Sequence, residues 1–403
     1  MIKREIYLRK IRPFYNQDLI KVITGIRRCG KSVLLNQIIE ELKDNKIDEN
    51  HIIYINFENY DYIKYTDPKK FNRYITNLIK DEKKYYLLFD EIQNVIDWEK
   101  VINSFRATKN VSIFITGSNS NLLSGELATH LAGRYVSFGI QPFSFTEACT
   151  MNNVEESNID DFFIDYIKWG GFPQRYTVGE EQQIISYLED VYNSIILKDI
   201  VVRNNIQNVE MLETLIQYLI STPTQIFSGI NITNYFKSLN RKVGMETIYN
   251  YLNYIENSFV IKRVPRYDVY GKKLLARQDK YYVCDLGLTK IRNIDKKIDI
   301  GASLENIVYN ELVNRGYTVY TGKNNNKEID FIATKVGEKK YFQVTYMLVD
   351  DKIIEREFGA YKGIEDNYPK YVLSMDKLNF SRDGIIHSNL IDWLLEEDKE
   401  IGR

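Results

Sequence analysis

The amino-terminal third of the chain alternates short apolar runs with amphipathic stretches. Between most of the apolar runs, apolar residues recur at helical spacing, as Val33, Leu34 and Ile38 do. Such alternation predicts an α/β fold with a mainly parallel sheet covered by helices on both faces. The β-like runs are Leu19–Thr24, His51–Phe57, Tyr85–Phe89, Val111–Thr116 and Arg134–Phe138.

Helical periodicity takes over in the middle of the chain, from about Asp160 to Ile220, and predicts a helical lid. Two short helices at 232–239 and 245–255, followed by β-like segments around a charged turn, predict a winged helix-turn-helix. Beyond Ser303 a helix and several strands predict a separate α/β unit. We therefore expect four domains: a P-loop core at 1–155, the lid at 156–210, the winged helix at 211–298 and a last domain at 299–403.

Composition excludes several classes of protein. The 403 residues include 54 Lys and Arg against 55 Asp and Glu, so any nucleic-acid binding must come from a local patch. Three scattered cysteines and three histidines argue against a disulfide framework or a zinc site. No apolar run is long enough to cross a bilayer, and the first ten residues are charged, which predicts a cytoplasmic protein without a membrane segment.

A phosphate-binding motif follows the first predicted strand. Its glycines allow backbone N–H groups to surround phosphate oxygens, and the helix that follows adds a favourable dipole. Lys31 is expected to reach the β- and γ-phosphates, and the Ser32 hydroxyl to bind Mg²⁺. The alternative is a glycine turn before an ordinary helix. The motif reads Gly25-Ile26-Arg27-Arg28-Cys29-Gly30-Lys31-Ser32.

Two carboxylates end the apolar run Tyr85–Phe89. A strand buried on both faces cannot hold an unpaired charge, so Asp90 must lie at its carboxyl end, where α/β sheets bind ligands. There Asp90 can hold Mg²⁺, and Glu91 can orient or deprotonate the attacking water. The alternative for Asp90 is a helix cap. Glu58, after the second strand, is a weaker candidate that is equally well explained as a solvated loop charge.

These motifs resemble those of AAA+ ATPases that carry a carboxy-terminal DUF4143 domain, over nearly the whole chain. The resemblance implies an AAA+ sheet with an added strand between the P-loop strand and the Asp90 strand. It also implies a sensor 1 residue at Ser118 or Asn119, of which we favour Asn119 because Ser118 can cap a turn. Arg134 resembles an arginine finger, and an exposed strand-edge arginine is the alternative. Either Arg175 or Arg203 could replace a sensor 2 arginine. The segments that carry the resemblance are Ile23–Ser32, Leu88–Gln93, Ile115–Ser120, Leu131–Arg134 and Gly170–Pro173, the last similar to the Gly-x-Pro element of signalling (STAND) ATPases.

Positive charge is concentrated on the predicted winged helix. Ten basic and four acidic residues lie between Tyr235 and Lys280. This excess predicts contact with the phosphates of double-stranded DNA through Lys262, Arg263 and Arg266 at the strand entering the wing. Packing or protein contact is the alternative, because winged helices in multidomain ATPases also serve those roles.

The last domain has the spacing of a PD-(D/E)xK nuclease core, with Glu305 on a helix and Asp330 and Gln343 on strands. Thr345 stands where the core needs a lysine to activate water. We therefore expect a degenerate, nuclease-like domain without cleavage activity, unless Lys323 or Lys327 substitutes.

The sequence as a whole predicts an ATP- and Mg²⁺-dependent AAA+ ATPase that acts as a nucleotide-driven switch for the winged-helix and nuclease-like parts. The alternatives are an ATP-gated nuclease and a non-catalytic, nucleotide-dependent scaffold that binds DNA or protein. A protein client and oligomer formation are both compatible with the sequence.

Overall fold

The computed structural model describes residues 2–123, 131, 133–221, 224–292 and 297–396. The chain divides into two compact units. The first comprises Met1–Pro142 with Asn257–Phe259, and the second comprises Phe143–Glu256 with the residues from Val260 onward. The first unit therefore ends thirteen residues before the boundary expected at 155–156.

The first unit is built on a five-stranded sheet in the order β2-β3-β4-β1-β5, in which all neighbours are parallel. β4 lies between the P-loop strand β1 and the Asp90 strand β3, which confirms the predicted added strand. β1, β3 and β4 are buried along their whole length, as their mostly apolar residues predict. The strands are β1 Ile20–Gly25, β2 Ile52–Asn56, β3 Tyr85–Asp90, β4 Val111–Gly117 and β5 Tyr135–Ile140.

Helices cover the sheet of the first unit. Aromatic rings dominate the core on one face, where Phe71 packs edge-to-face on Phe57, Phe89 and Phe105. Because the parallel strands run in one direction, the carboxyl ends of β1, β3 and β4 meet at the same edge of the sheet. The helices are α1 Glu5–Ile11, α2 Lys31–Asp44, α3 Pro68–Leu78 and α4 Trp98–Thr108.

The second unit begins with helices. A capping box of Ser144 and Glu147 starts the first of them, and a π-helical stretch at Ile195–Val202 follows the third. The helices of this unit are α5 Phe145–Asn152, α6 Ile159–Trp169, α7 Glu181–Ser194, α8 Val209–Ser221, α9 Gly229–Ser238, α10 Met245–Asn257, α11 Leu286–Arg292, α12 Ile300–Asn314, α13 Asp351–Gly359 and α14 Leu390–Leu395.

A seven-stranded sheet completes the second unit, in the order β12-β11-β10-β9-β8-β6-β7. The hairpin expected to form a separate wing is β6–β7, and β6 pairs in parallel with β8 through Arg266 and Thr321. The boundary expected at 298–299 therefore separates strands of one sheet. The strands are β6 Ile261–Asp268, β7 Lys273–Val283, β8 Thr318–Asn324, β9 Lys327–Lys335, β10 Glu338–Val344, β11 Lys370–Ser374 and β12 Ile386–Asn389.

Across the described ranges, the helices are each too short or too polar to cross a bilayer.

Candidate functional site

The P-loop connects β1 to α2 by a tight backbone path. Gly30 precedes α2 with a φ of 100°, a conformation that favours glycine. A Cβ atom on Gly25 would lie 2.2 Å from the carbonyl oxygen of Ile140, so only glycine fits there. The side chains of Ile26 and Cys29 are buried, whereas Arg28 is exposed. The buried side chains of Ile26 and Cys29 leave their backbone groups as the part of these two residues that could face a phosphate.

Lys31 is the first residue of α2, and its side chain is 4% exposed. Its Nζ donates to the carbonyl oxygens of Gly25 and Ile26 at 3.2 and 3.3 Å. The same nitrogen lies 3.7 Å from Glu91 Oε1. The structure thus brings together the lysine of the P-loop and the candidate catalytic carboxylate, which lie sixty residues apart in the sequence.

Asp90 ends β3 and is fully buried. Its carboxylate accepts hydrogen bonds from the Thr116 hydroxyl and, at 3.2 Å, from Tyr54 Oη. Burial raises the pKa of Asp90, and hydrogen bonds from Ser32 and Thr116 oppose that increase. A carboxylate in this environment is stabilised by a cation.

Glu91 has a φ of 52°, which is unusual for a residue with a side chain. Its backbone N–H donates to Thr116 Oγ1 at 3.0 Å, and its carboxylate accepts a hydrogen bond from Gln93 Nε2. Thr116 therefore contacts both carboxylate residues, a role that sequence reasoning did not predict. Its signal is a hydroxyl near the carboxyl end of the mostly apolar, fully buried strand β4.

Ser118 and Asn119 directly follow β4 and are almost completely buried. Because β4 separates β1 from β3, its carboxyl end lies between the P-loop and Asp90. The expected sensor residue Asn119 is thus at the same edge of the sheet as Lys31 and Glu91.

Arg134 is not brought to this edge. It precedes β5, and its Nη1 donates to Asn103 Oδ1 at 3.2 Å. The register pairs Ile20 with Tyr135 and Gly25 with Ile140, so Arg134 is near the start of β1 rather than its end. Five residues of strand correspond to about 16 Å. The side chain is exposed, which fits the alternative of a strand-edge arginine.

The groups at this edge fit a Mg²⁺ ion. Mg²⁺ prefers oxygen ligands, and the hydroxyl of Ser32 and the carboxylate of Asp90 already lie within hydrogen-bond contact. Asp90 is fully buried, which favours a bound cation. Glu58, the weaker candidate carboxylate, forms an ion pair with Arg27 at 3.2 Å.

The segment Gly170–Pro173 and the two sensor 2 candidates belong to the second unit. Gly171 N–H donates to Asp285 Oδ2 at 2.6 Å, and burial raises the pKa of Asp285 to about 7. Arg175 donates to the Gly170 carbonyl at 2.7 Å and pairs with Asp165 at 2.9 Å, with only 3% of its side chain exposed. This segment is thus held by its own contacts, and Arg203 is the more accessible of the two arginines.

The nuclease-like residues gather around a lysine that the sequence did not indicate. Lys280 of β7 donates to Glu305 at 3.0 Å and to Glu328. Burial lowers the pKa of Lys280, but the carboxylates of Glu305, Asp330 and Glu328 more than offset this and raise it. A lysine held in its charged form neutralises the cluster and cannot accept a proton from water.

Gln343 is part of the same cluster, where its Oε1 accepts the Asp330 N–H at 2.7 Å and its Nε2 donates to Glu357 at 2.9 Å. Of the two lysines named as substitutes for Thr345, Lys327 donates to the Gly359 carbonyl at 2.7 Å. Lys323 lies opposite Glu328 in the register of β8 and β9. Among the described residues, no group of three or more His, Cys, Asp or Glu side chains forms a metal site.

The three basic residues predicted to contact DNA do not form one exposed edge. Arg266 is 11% exposed and pairs with Glu328 at 3.0 Å, because β6 is an inner strand of the large sheet. Lys262 is partly buried, and this burial lowers its pKa. Arg263 is 55% exposed and lies 4.0 Å from Asp279. A phosphate therefore has ready access to Arg263 alone of the three.

Comparisons with known proteins agree with the nucleotide-site geometry. The family model of the AAA domain matches residues 17–149. An uncharacterized protein of Haemophilus influenzae is 38% identical over 98% of this chain and 99% of its own length. Another, of Methanocaldococcus jannaschii, is 32% identical over 94% of this chain and 84% of its own length. The chain therefore belongs to the same family as these two proteins, and its residues 17–149 belong to the AAA domain family.

The fold of the chain is also similar to that of the Walker-type ATPase of Pyrococcus abyssi, with a TM-score of 0.52 and 15% identity over 72% of this chain and 96% of that one. A model of a domain of unknown function, DUF8612, matches residues 160–297, a range that spans most of the predicted lid and winged helix. The DUF4143 domain expected at 299–403 is a different one and stays a prediction.

Proposed function

We propose that the protein hydrolyses ATP in a Mg²⁺-dependent reaction and that its nucleotide state acts as a switch for the second unit. The main support is the position of Glu91 Oε1, 3.7 Å from Lys31 Nζ at the carboxyl edge of the sheet. A phosphate-binding lysine and a carboxylate able to accept a proton from water are thereby neighbours, as phosphoryl transfer to water requires.

Each side chain has a separate role in this proposal. Lys31 exchanges the Gly25 and Ile26 carbonyls for phosphate oxygens, and the P-loop N–H groups surround the same oxygens. Ser32 and Asp90 hold Mg²⁺, which supplies charge neutralisation when it is bound. Glu91, oriented by Thr116 and Gln93, accepts a proton from the attacking water. Asn119 orients the terminal phosphate.

We assign to the Lys280 cluster a structural role rather than nuclease activity. Its lysine is held in the charged form by the surrounding carboxylates, and Thr345 offers no amine. This favours the ATPase over the ATP-gated nuclease. The presence of Glu91 beside Lys31 favours it over a non-catalytic scaffold.

Two variants separate nucleotide binding from hydrolysis. Lys31→Ala is expected to lose ATP binding, because the phosphates lose their only buried ammonium at the P-loop among the described residues. Glu91→Gln is expected to bind ATP but to lose phosphate release. Lys43→Ala, at the exposed end of α2, is the matched control and should behave like the wild type. Normal turnover by Glu91→Gln would show that another group accepts the proton.

A further inference from the structure

Arg4 lies just before α1, and its side chain is 1% exposed. Arginine is rarely buried to this extent unless its donors are satisfied. Its guanidinium donates to the Cys29 carbonyl at 2.8 Å and to the Gln141 carbonyl at 3.0 Å, both through Nη1, while Nη2 reaches the Pro142 carbonyl at 3.4 Å. The side chain thus connects the P-loop to the segment that follows β5.

The segment that carries Arg4 is itself fixed on the P-loop helix. The Arg4 N–H donates to Gln37 Oε1 at 3.0 Å, and Gln37 Nε2 donates back to the Ile2 carbonyl at 2.7 Å. The Arg4 guanidinium also lies 4.6 Å from the centre of the Tyr7 ring, and Tyr7 Oη accepts the Gln141 N–H at 3.1 Å. These contacts hold the guanidinium in one position behind the P-loop.

The contact with Cys29 fixes one particular peptide group. In a planar trans peptide the C=O and N–H bonds point in opposite directions. When the Cys29 carbonyl points toward Arg4, the N–H of Gly30 points away from it, to the side on which a P-loop surrounds phosphates. A charged donor on the carbonyl also polarises the peptide and strengthens its N–H as a donor.

We propose that Arg4 is a positioning residue for the nucleotide: it orients the Cys29–Gly30 peptide so that the Gly30 N–H faces the phosphates of a nucleoside di- or triphosphate. This inference rests on the proposed function. Arg4 acts through the backbone and does not itself contact the nucleotide.

The test compares Arg4→Met, which keeps the stem and removes the donors, with Arg4→Lys, which keeps the charge. Arg9→Met, an exposed position on α1, is the control. Binding of a fluorescent ADP analogue, KM and kcat for ATP, and the melting temperature without nucleotide are measured for each. We expect Arg4→Met to bind the analogue about 10- to 100-fold more weakly, the usual effect of losing a hydrogen bond to a charged group. KM should rise while kcat at saturating ATP changes little, and Arg4→Lys should recover part of the affinity.

The outcomes distinguish this inference from the proposed function. A folded Arg4→Met protein with the affinity of the wild type would overturn the role of Arg4 and leave the ATPase intact. If Arg4→Met does not fold, Arg4→Lys decides: weakened binding at an unchanged melting temperature supports the inference, and unchanged binding refutes it. A wild type that binds no nucleotide would overturn the proposed function and this inference with it.

Discussion

Thr116 offers a sensitive test of how the two carboxylate residues are held. Its hydroxyl donates to Asp90 and accepts the Glu91 N–H at 3.0 Å, and the side chain is fully buried. Thr116→Val keeps the shape of the side chain but removes both hydrogen bonds. No cavity is formed, so the change reports on polar contacts alone.

The expected loss of stability comes from the Asp90 carboxylate and the Glu91 N–H, which each lose a hydrogen-bond partner. A buried polar group that loses its partner costs about 1–3 kcal/mol, so two such losses give about 2–6 kcal/mol. Asp90 keeps its contacts with Tyr54 and Ser32, which places the expected loss at the lower end, about 2–3 kcal/mol. Glu91 also loses the contact that fixes its unusual backbone conformation, so kcat should fall by about tenfold or more, equivalent to about 1.4 kcal/mol.

Urea denaturation measures the loss of stability, and phosphate release at saturating ATP measures the fall in kcat. Thr116→Ser restores the hydroxyl and should recover most of the activity, with a modest loss of stability from the missing methyl group. A Thr116→Val protein as stable and as active as the wild type would refute the role given to this hydroxyl.

Three further predictions concern other parts of the chain. Burial lowers the pKa of Lys21 from 10.5 to about 7, so between these pH values the unfolded chain binds more protons than the folded protein and the free energy of unfolding should rise with pH. Between pH 7 and 9 the free energy of unfolding of the wild type should rise by about 2 kcal/mol relative to that of Lys21→Met, as measured by denaturation at each pH. Lys280→Met leaves Glu305 without its cation, while Glu328 keeps its pair with Arg266, and the change should destabilise the protein by about 3 kcal/mol, a loss that Glu305→Gln should partly reverse. Neither the wild type nor Asp330→Ala should cut DNA in Mg²⁺ or Mn²⁺, and cleavage abolished by Asp330→Ala would restore the nuclease alternative. The triple change of Lys262, Arg263 and Arg266 to Ala should lower the melting temperature, because Arg266 is buried against Glu328. If the variant is instead stable, and the slope of its log affinity for a DNA duplex against log salt concentration is lower by about 2–3, the predicted DNA-binding edge would be supported.

The sequence was informative where chemistry lies in contiguous residues. The P-loop and the Asp90-Glu91 pair are recognisable because each is a short motif at the end of an apolar strand, and the parallel strands bring those ends together. The sheet order with an added strand followed from the resemblance and is confirmed.

Contacts between distant segments could not be predicted in this way. The roles of three residues depend on contacts with residues that lie tens of positions away in the sequence: Arg4, Thr116 and Lys280. No local sequence pattern predicts these contacts. The basic residues of β6 show the opposite case, in which a local pattern predicted exposed side chains and distant pairing buries one of them. Their charge suggested an exposed edge, but pairing with β8 makes β6 an inner strand and buries Arg266.

The parallel pairing of β6 with β8 has a consequence for how the chain can be divided. A fragment that ends at residue 298 would keep the β6–β7 hairpin but lose β8, which pairs with Arg266, Tyr267 and Asp268. The backbone groups of β6 would then form an open edge, a common template for aggregation. During synthesis the same edge stays unpaired until Thr321–Lys323 has been made, so the nascent hairpin depends on a segment that begins about forty residues after Val283, where the hairpin ends.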